Sequence, residues 1–379
     1  MMKDQLWVPI FQITPAVASA LMQIEAARVL VAQTLLPLAV EERLRERARL
    51  HSTHYSTYIE GNRLTLEETA EVVQRRGVGF HGRERDVAEV RNYWVALLRM
   101  EEWAAAGKPL TEELIRRLHA LVEYGGRAKP TPYRDGQNLI RDATSGELVY
   151  LPPEAHDVPD MMAQLVNWVH HAEKSGLPVP LIAALTHYQF VTIHPYYDGN
   201  GRTARLLATF ILQRGGYGLN GYFSLEEHHA RDLHSYYHAL VTHPHHNYYF
   251  GRARAELTSW LEYFTGLLAH IFTLTQQEAN NCASAGIVAE PELLRQLDHR
   301  SRTVLSLFAR QDEITTAMVA SALGLSPRMA RTLVNAWVAA GLLHPATMAK
   351  KNRSYHLTAK YRQFIGGLTA MDGVSLATP

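Results

Sequence analysis

A single cysteine, Cys282, stands in a chain of 379 residues. That excludes an internal disulfide framework and any zinc site built on several thiolates. Net charge is nearly absent as well: a formal +1 at pH 7 argues against a surface that binds polyanions as a whole, and leaves only local basic patches. No uninterrupted apolar run reaches the about 18 residues of a membrane span. The start, "MMKDQLWVPIFQ", lacks the long apolar core behind a basic stretch that marks a secretory signal. We therefore expect a cytoplasmic protein with no membrane partner. G-x-x-x-x-G-K-[ST] and H-E-x-x-H are both missing, which sets aside a P-loop nucleotidase and a helical zinc-hydrolase site. What is present is 47% hydrophobic against 20% charged residues, the composition of a folded globular chain with room for two or three domains.

Most of the chain reads as helix. "PAVASALMQIEAARVLVAQTLL" places Val17, Leu21, Ile24 and Leu30 at helical spacings, and "VEERLRERARLHSTHYSTYIEG" carries the pattern to a Gly-Asn stop. Further helices are predicted at Thr65–Arg76, Glu84–Ala105, Thr111–Val122, Asp160–Ser175, Val179–Ile193 and from about Gly251 to Asn280. One segment breaks the trend. Two β-prone runs, Asn138–Ile140 and Leu148–Leu151, surround an Asp-Ala-Thr-Ser-Gly turn and end at Pro152-Pro153, which predicts a hairpin.

Beyond a small, irregular linker over 281–292 the pattern changes. "RSRTVLSLFARQ", "EITTAMVASALGL" and "SPRMARTLVNAWVAAGLL" are three helices, the last opened by Ser326 with Pro327 at its first position. Two short strands follow around a basic tip, Lys350-Lys351-Asn352-Arg353. That order predicts a winged helix-turn-helix over 293–379, with Arg328 and Arg331 of Ser326–Ala340 as candidate groove or phosphate contacts. The three segments before it divide as an N-terminal helical region, 1–110, a core, 111–280, and the linker.

Chemistry concentrates in "HPYYDGNGRTAR", His194 to Arg205. His194 ends an apolar helix that Pro195 cannot continue. Gly199 and Gly201 allow a tight turn and a close backbone approach to a ligand. A new helix starts near Arg202, so the loop delivers free N–H groups and a positive dipole end to an anion. Arg202 and Arg205, three apart, point to one side of that first turn. Asp198 is placed to hold Mg²⁺ on a polyphosphate, and His194 to take a proton from an attacking hydroxyl. A base, a metal ligand, an anion nest and two charge clamps make a kit for phosphoryl or nucleotidyl transfer. "GGYGLNG", formally a dinucleotide fingerprint, follows an amphipathic helix and is read as a helix end instead.

The twelve residues resemble the signature of Fic (Fic/Doc) domain proteins, H-x-F-x-[DE]-G-N-G-R-x-x-R, departing only at Tyr196, where phenylalanine is usual. The resemblance implies an all-α fold: a Fic-type helical core with a small hairpin flap, followed here by the winged helix-turn-helix. It implies an Mg²⁺-dependent protein adenylyltransferase that moves AMP from ATP to a Ser, Thr or Tyr hydroxyl of a target protein, and to itself. His194 is then the catalytic base and Asp198 the metal ligand. Gly199, Asn200, Gly201 and Thr203 belong to the phosphate cradle, and Arg202 and Arg205 clamp the outer phosphates. The hairpin resembles the family's flap, approached by Tyr133-Arg134 and Gln137-Asn138, which docks the target by strand addition. In "HSYYHAL", Tyr236 is the expected adenine contact. Upstream, Ser56-x-x-x-Glu60-Gly61 resembles the inhibitory motif [ST]-x-x-x-E-[GN] of one class, implying that Glu60 pairs with Arg205 and blocks the γ-phosphate. A homodimer is a further implication. The competing readings are a hydrolase that removes AMP with the same site, and a DNA-binding regulator acting through the winged helix.

Overall fold

The computed structural model describes residues 7–74, 79–126, 129–141, 146–286, 292–308, 311–323, 325–346 and 354–362. They form two units: Met1–Gln33, Leu44–Ala104 and Lys108–Glu278 make the first, and Thr34–Arg43, Ala105–Gly107 and Ala279–Pro379 the second.

The N-terminal periodicity becomes α1 (Pro15–Gln33) and the long α2 (Leu38–Ile59), the chain between them interrupted by Pro37; α1 and α2 from Leu44 onward belong to the first unit. By length and composition α1 is the one described helix apolar enough to cross a membrane. It spends that apolarity on a row, Val17, Ile24, Ala27 and Val31, turned into the core. α3 (Leu66–Gln74), α4 (Glu84–Ala105) and α5 (Glu112–Tyr124) follow, the last capped by Thr111, whose hydroxyl accepts from the Leu114 amide at 3.1 Å. The hairpin pairs β1 (Ile140–Arg141) with β2 (Leu148–Tyr150), antiparallel, with Ile140 opposite Tyr150; the expected turn at 142–145 lies outside the described residues.

Next come α6 (Val158–Lys174), α7 (Val179–Ile193), α8 (Asn200–Arg214), α9 (Leu225–Arg231) and α10 (Leu233–Leu240). α7 is apolar on every side and buried on nearly all of them, so it is the central helix, packed most extensively against α8. Trp260 and Phe264 of α11 (Thr258–Gly286) close over it, and the Trp260 indole N–H donates to the Ala184 carbonyl at 2.8 Å. Two expectations are corrected here. α11 starts at Thr258 rather than near Gly251: Gly251 takes φ 133 between two short 3₁₀ turns, Tyr248–Phe250 and Arg252–Arg254, and breaks any helix there. Its other end reaches Gly286, so the first half of the expected linker is helical; 287–291 lie outside the described residues.

The second unit runs α12 (Glu292–Arg295), α13 (His299–Leu307), β3 (Ile314–Thr315), α14 (Thr316–Leu323), α15 (Pro327–Ala339), β4 (Leu343–Pro345), β5 (Ser354–Leu357) and α16 (Ala359–Arg362). Its antiparallel sheet has the order β3-β5-β4. The β-branched Ile314-Thr315 pair joins β5, so the helix expected from Glu313 begins only at Thr316. Ile314, Val319, Val334, Trp337 and Tyr355 share one core. Ser326 caps α15, its hydroxyl accepting from the Met329 amide at 3.3 Å. Arg328 and Arg331 are exposed on that helix, while Lys350, Lys351 and Arg353 lie outside the described residues.

Candidate active site

α7 ends at His194, which adopts the left-handed conformation, φ 52 and ψ 60, and still donates its backbone N–H to the Phe190 carbonyl. A non-glycine residue held there is strained, and such strain collects at functional positions. The imidazole Nδ1 sits 3.3 Å from the Val191 carbonyl. A carbonyl can only accept, so Nδ1 carries the proton and Nε2 keeps its lone pair. Burial pushes the His194 pKa down to about 4, against the opposing pull of that carbonyl and of Glu60. At neutral pH the ring is an unprotonated base.

From His194 the chain turns back on itself through Asn200, whose Oδ1 accepts from the Tyr196 amide at 3.0 Å and whose Nδ2 donates to the Tyr196 carbonyl at 2.8 Å. Gly199, at φ 73, is the N-cap of α8. The loop also rests on α5. His119 Nε2 donates to the Asp198 carbonyl at 2.8 Å, and its ring stacks on Tyr196 with centroids 3.6 Å apart. Burial holds His119 down at about 4, so it is neutral and keeps the tautomer that this bond needs. The Asp198 side chain faces solvent. Its Oδ1 accepts from the Gly199 amide at 2.7 Å and lies 3.3 Å from Arg202 Nη2; its Oδ2 lies 3.5 Å from Arg85.

Both arginines of the first turn of α8 are almost fully buried, and each already holds a carboxylate. Arg202 meets Glu123 at 2.9 Å and Arg205 meets Glu60 at 2.8 Å. The two glycines make room for this. A Cβ on Gly199 would stand 2.4 Å from Glu123 Oε1, and one on Gly201 would stand 2.1 Å from Glu60 Oε1. Burial opposes the charge on Arg205, but Glu60, with Tyr236 and Tyr93 beside it, holds its pKa above the usual arginine value. Burial raises the Glu123 carboxyl, and Arg202 works against that rise. The N-terminal amides of α8, its dipole and two guanidiniums thus form an anion nest occupied by the protein's own carboxylates.

The buried Arg134 side chain ties the flap to the same loop. Arg134 Nε donates to the His194 carbonyl at 2.9 Å, Nη1 to the Gly136 carbonyl at 3.0 Å, and Nη2 to the Pro153 carbonyl. On its far side the flap is held by residues 246–248: the Leu151 N–H donates to the His246 carbonyl, the Leu151 carbonyl accepts from the Tyr248 N–H, and His246 Nδ1 donates to the Val149 carbonyl at 2.7 Å.

A family model described as Fic/DOC matches residues 109–212. A solved structure of a Fic family protein from Desulfovibrio desulfuricans superposes with a TM-score of 0.57 at 26% identity, covering 93% of this chain and 99% of that one. A Fic domain containing signaling protein from Bacteroides thetaiotaomicron gives 0.58 at 26% identity, covering 73% and 99%. This chain carries a Fic/DOC family domain. Among curated proteins, the protein adenylyltransferase Fic of Drosophila virilis is 30% identical over 176 residues, which are 46% of this chain and 35% of that protein. The chain thus spans little more than a third of that relative's length.

Within the Fic fold His194, Asp198, Gly199, Gly201, Arg202, Arg205 and Glu60 converge on one place. Three of the residues expected to bind nucleotide are placed differently. Thr203 is fully buried, because its position on α8 faces the core, so its side chain is not offered to a ligand. Asn200 spends its side-chain amide on closing the loop. Tyr236 is 1% exposed with its hydroxyl on His187 Nε2 at 3.1 Å, whereas its neighbour Tyr237 is 47% exposed and lies near the end of α2. Of the pair it is Tyr237 that is open to a nucleobase. Glu123, His119 and Arg134's precise ties were not evident from the sequence; the signal for His119 was a histidine inside the buried face of α5.

The departure from the signature at Tyr196 leaves a mark. Its ring is buried and stacked, but its hydroxyl oxygen has no hydrogen-bond partner among the described residues. Tyr196→Phe deletes only that atom and should stabilise the fold by about 1 kcal/mol, seen as a higher Tm with the site's activity retained. A lower Tm would mean that the hydroxyl has a partner.

Proposed function

We propose that this chain is a protein adenylyltransferase that moves AMP from ATP to a hydroxyl of a target protein, and to itself, and that Glu60 restrains it. The observation that carries this reading is the nest at the first turn of α8, where Glu60 lies on Arg205 in the space that the missing Gly201 side chain leaves. An anion belongs there, and the protein supplies an exchangeable one.

The chemistry follows from the side chains. A target segment laid along the flap brings its hydroxyl to His194. Nε2 accepts the proton as the hydroxyl oxygen bonds to the α-phosphorus; the bond from that phosphorus to the pyrophosphate oxygen breaks, and Arg202 and Arg205 take up the charge that develops on the leaving group. Asp198 is a single solvent-facing carboxylate, and the described residues contain no cluster of three His, Cys, Asp or Glu suited to a metal. That suits Mg²⁺, which keeps its waters and takes most ligands from phosphates. Held by Asp198, Mg²⁺ would neutralise phosphate charge. Asp198→Ala should accordingly lose most activity and the parent's dependence on Mg²⁺ concentration; superimposable Mg²⁺ titrations of mutant and parent would place the ligand elsewhere.

Mass spectrometry of the purified chain after incubation with ATP and Mg²⁺ tests the reading, with AMP added to its own hydroxyls as the expected result. No added mass, for the parent and for Glu60→Gly, would refute it. Loss of AMP from a sample that already carries it would favour the reverse, hydrolytic direction. The acid limb of kcat/KM gives a second check. The unprotonated imidazole is the active form, so activity is lost as pH falls through the His194 pKa. With that pKa near 4 rather than 6.5, the rate should be flat from pH 8 to 6. A midpoint near 6.5 would mean that the ring is far better solvated than its surroundings indicate.

For the second unit, the exposed Arg328 and Arg331 on α15 support a role in contacting DNA phosphates. A salt-dependent mobility shift with the full chain, lost in Arg328→Ala/Arg331→Ala, tests that; no shift at low salt would reject it.

A further inference from the structure

Besides Glu60 and Asp198 the anion nest carries a third carboxylate, and its backbone is clamped. Glu123 stands in the last turn of α5, where the Asn92 side-chain amide donates to its carbonyl at 2.9 Å and Gly125, at φ 78, closes the helix. Its carboxyl group lies over Gly199: a Cβ there would meet Oε1 at 2.4 Å and Cδ at 3.0 Å. Glu60, by contrast, follows the end of α2 with its side chain 31% exposed, against 16% for Glu123. When Glu60 leaves, Arg205 still has Ser56, whose hydroxyl accepts from Nε at 2.9 Å and whose carbonyl accepts from Nη2 at 2.8 Å.

Glu123 also shares a nitrogen with Asp198. Arg202 Nη2 donates to Asp198 Oδ1 at 3.3 Å, and Glu123 Oε1 lies 2.9 Å from the same nitrogen, an ion pair without hydrogen-bond alignment. What Glu123 gives Arg202 is therefore charge. Arg85 lies 3.5 Å from Asp198 Oδ2 but is itself paired with Glu89 at 2.9 Å, so those two add no net charge. Once Glu60 is out, Arg202 and Arg205 face Asp198 and Glu123, two positive charges against two negative. A nest balanced in this way attracts a bare triphosphate weakly, and takes it better when a cation has cancelled part of its charge. Because Arg202 is shared, it does not hold Asp198 alone, and the Asp198 carboxylate stays open to that cation.

We propose that Glu123 sets the metal requirement of the site: by matching the charge of Arg202 it makes the nest select a nucleotide that carries a divalent cation over the bare anion. This rests on the reading given above, in which the nest takes the phosphates of ATP and Asp198 takes Mg²⁺.

The test is calorimetry on the full-length Glu60→Gly chain with an ATP analogue bridged by a methylene between the α- and β-phosphates, which cannot transfer. Affinity is measured once in excess Mg²⁺ and once in EDTA, and Glu60→Gly should bind far more tightly with Mg²⁺. Adding Glu123→Gln keeps the shape and removes one negative charge. Binding in EDTA should then strengthen about tenfold, the effect of one partly screened charge a few ångströms away. Binding in Mg²⁺ should change little, because Asp198, now alone on Arg202, is less free for the cation, so the advantage given by Mg²⁺ falls about tenfold. A counter-ion that only stabilised the buried Arg202 would, when lost, lower Tm and weaken the analogue alike in both buffers; an unchanged ratio overturns the proposal. Should Glu123→Gln fail to fold, Glu123→Asp decides: it draws the charge back by one methylene and should lower the ratio about threefold, and no change there overturns the proposal equally. If Glu60→Gly itself binds the analogue equally well with and without Mg²⁺, the reading of the site fails and this proposal with it. An Mg²⁺ advantage that survives loss of Glu123 rejects the proposal alone.

Discussion

Glu60→Gly should transfer AMP onto protein, itself included, about 10- to 100-fold faster than the parent chain, the range expected when a charged hydrogen bond to a buried partner is released. The contact removed is specific: Glu60 Oε1 on Arg205 Nη2 at 2.8 Å, with the same oxygen filling the space over Gly201. On the proposed reading, that contact would keep Arg205 Nη2 from a phosphate and hold a bound nucleotide off the line of attack. Ser56 is kept in the variant, so Arg205 should stay in place. A carboxylate that merely ended α2 would, when removed, shift stability by a few tenths of a kcal/mol and leave the rate alone. Radiolabel or mass incorporation at saturating ATP and Mg²⁺ separates the two; equal labelling of parent and variant would remove Glu60 from the regulation.

His194→Ala, made in the Glu60→Gly chain, should lower transfer by about 10²–10⁴-fold while ATP affinity is retained, because on the proposed mechanism the Nε2 lone pair is the base and takes no part in the nest. The position adds a complication that a second variant resolves. Alanine at φ 52 is strained by about 1–2 kcal/mol, so part of any loss could come from the backbone. Asparagine tolerates that conformation but cannot act as the base. His194→Asn should be as inactive as His194→Ala and more stable to heat; substantial activity in it would hand the base role to another group.

The candidate loop was legible because its parts are contiguous. Twelve residues carried His194, Asp198, the glycines and both arginines, and one helical turn then brought Arg202 and Arg205 together. Glu60 was legible as a short motif with a defined partner. Groups assembled from distant segments were not: nothing local to Glu123 tells that it lies on Arg202. Tyr236, expected at the adenine, is turned into the core for a related reason. α10 has eight residues, too few to show a phase by periodicity, and its rotation is set by Tyr236 packing on His187 and His229 from other helices. The late start of α11 depends on a single backbone angle at Gly251, which no pattern of apolar residues records. Helices without such interruptions, α4 and α7, begin and end where their spacing placed them.

Arg134 gives the molecule a mechanical property. Its guanidinium and its backbone N–H hold the carbonyls of His194 and Pro195, while its remaining nitrogens hold the base of the hairpin. Hairpin and imidazole are thus riveted together, and a peptide that pulls on the strand edge pulls on the ring as well. On the proposed mechanism, the register of a segment docked along the flap would be gauged from His194 Nε2, and a target whose hydroxyl is one residue out of step would present the opposite face of its strand. Selection among targets would then reside less in a pocket for a particular side chain than in the distance between a strand edge and a nitrogen atom.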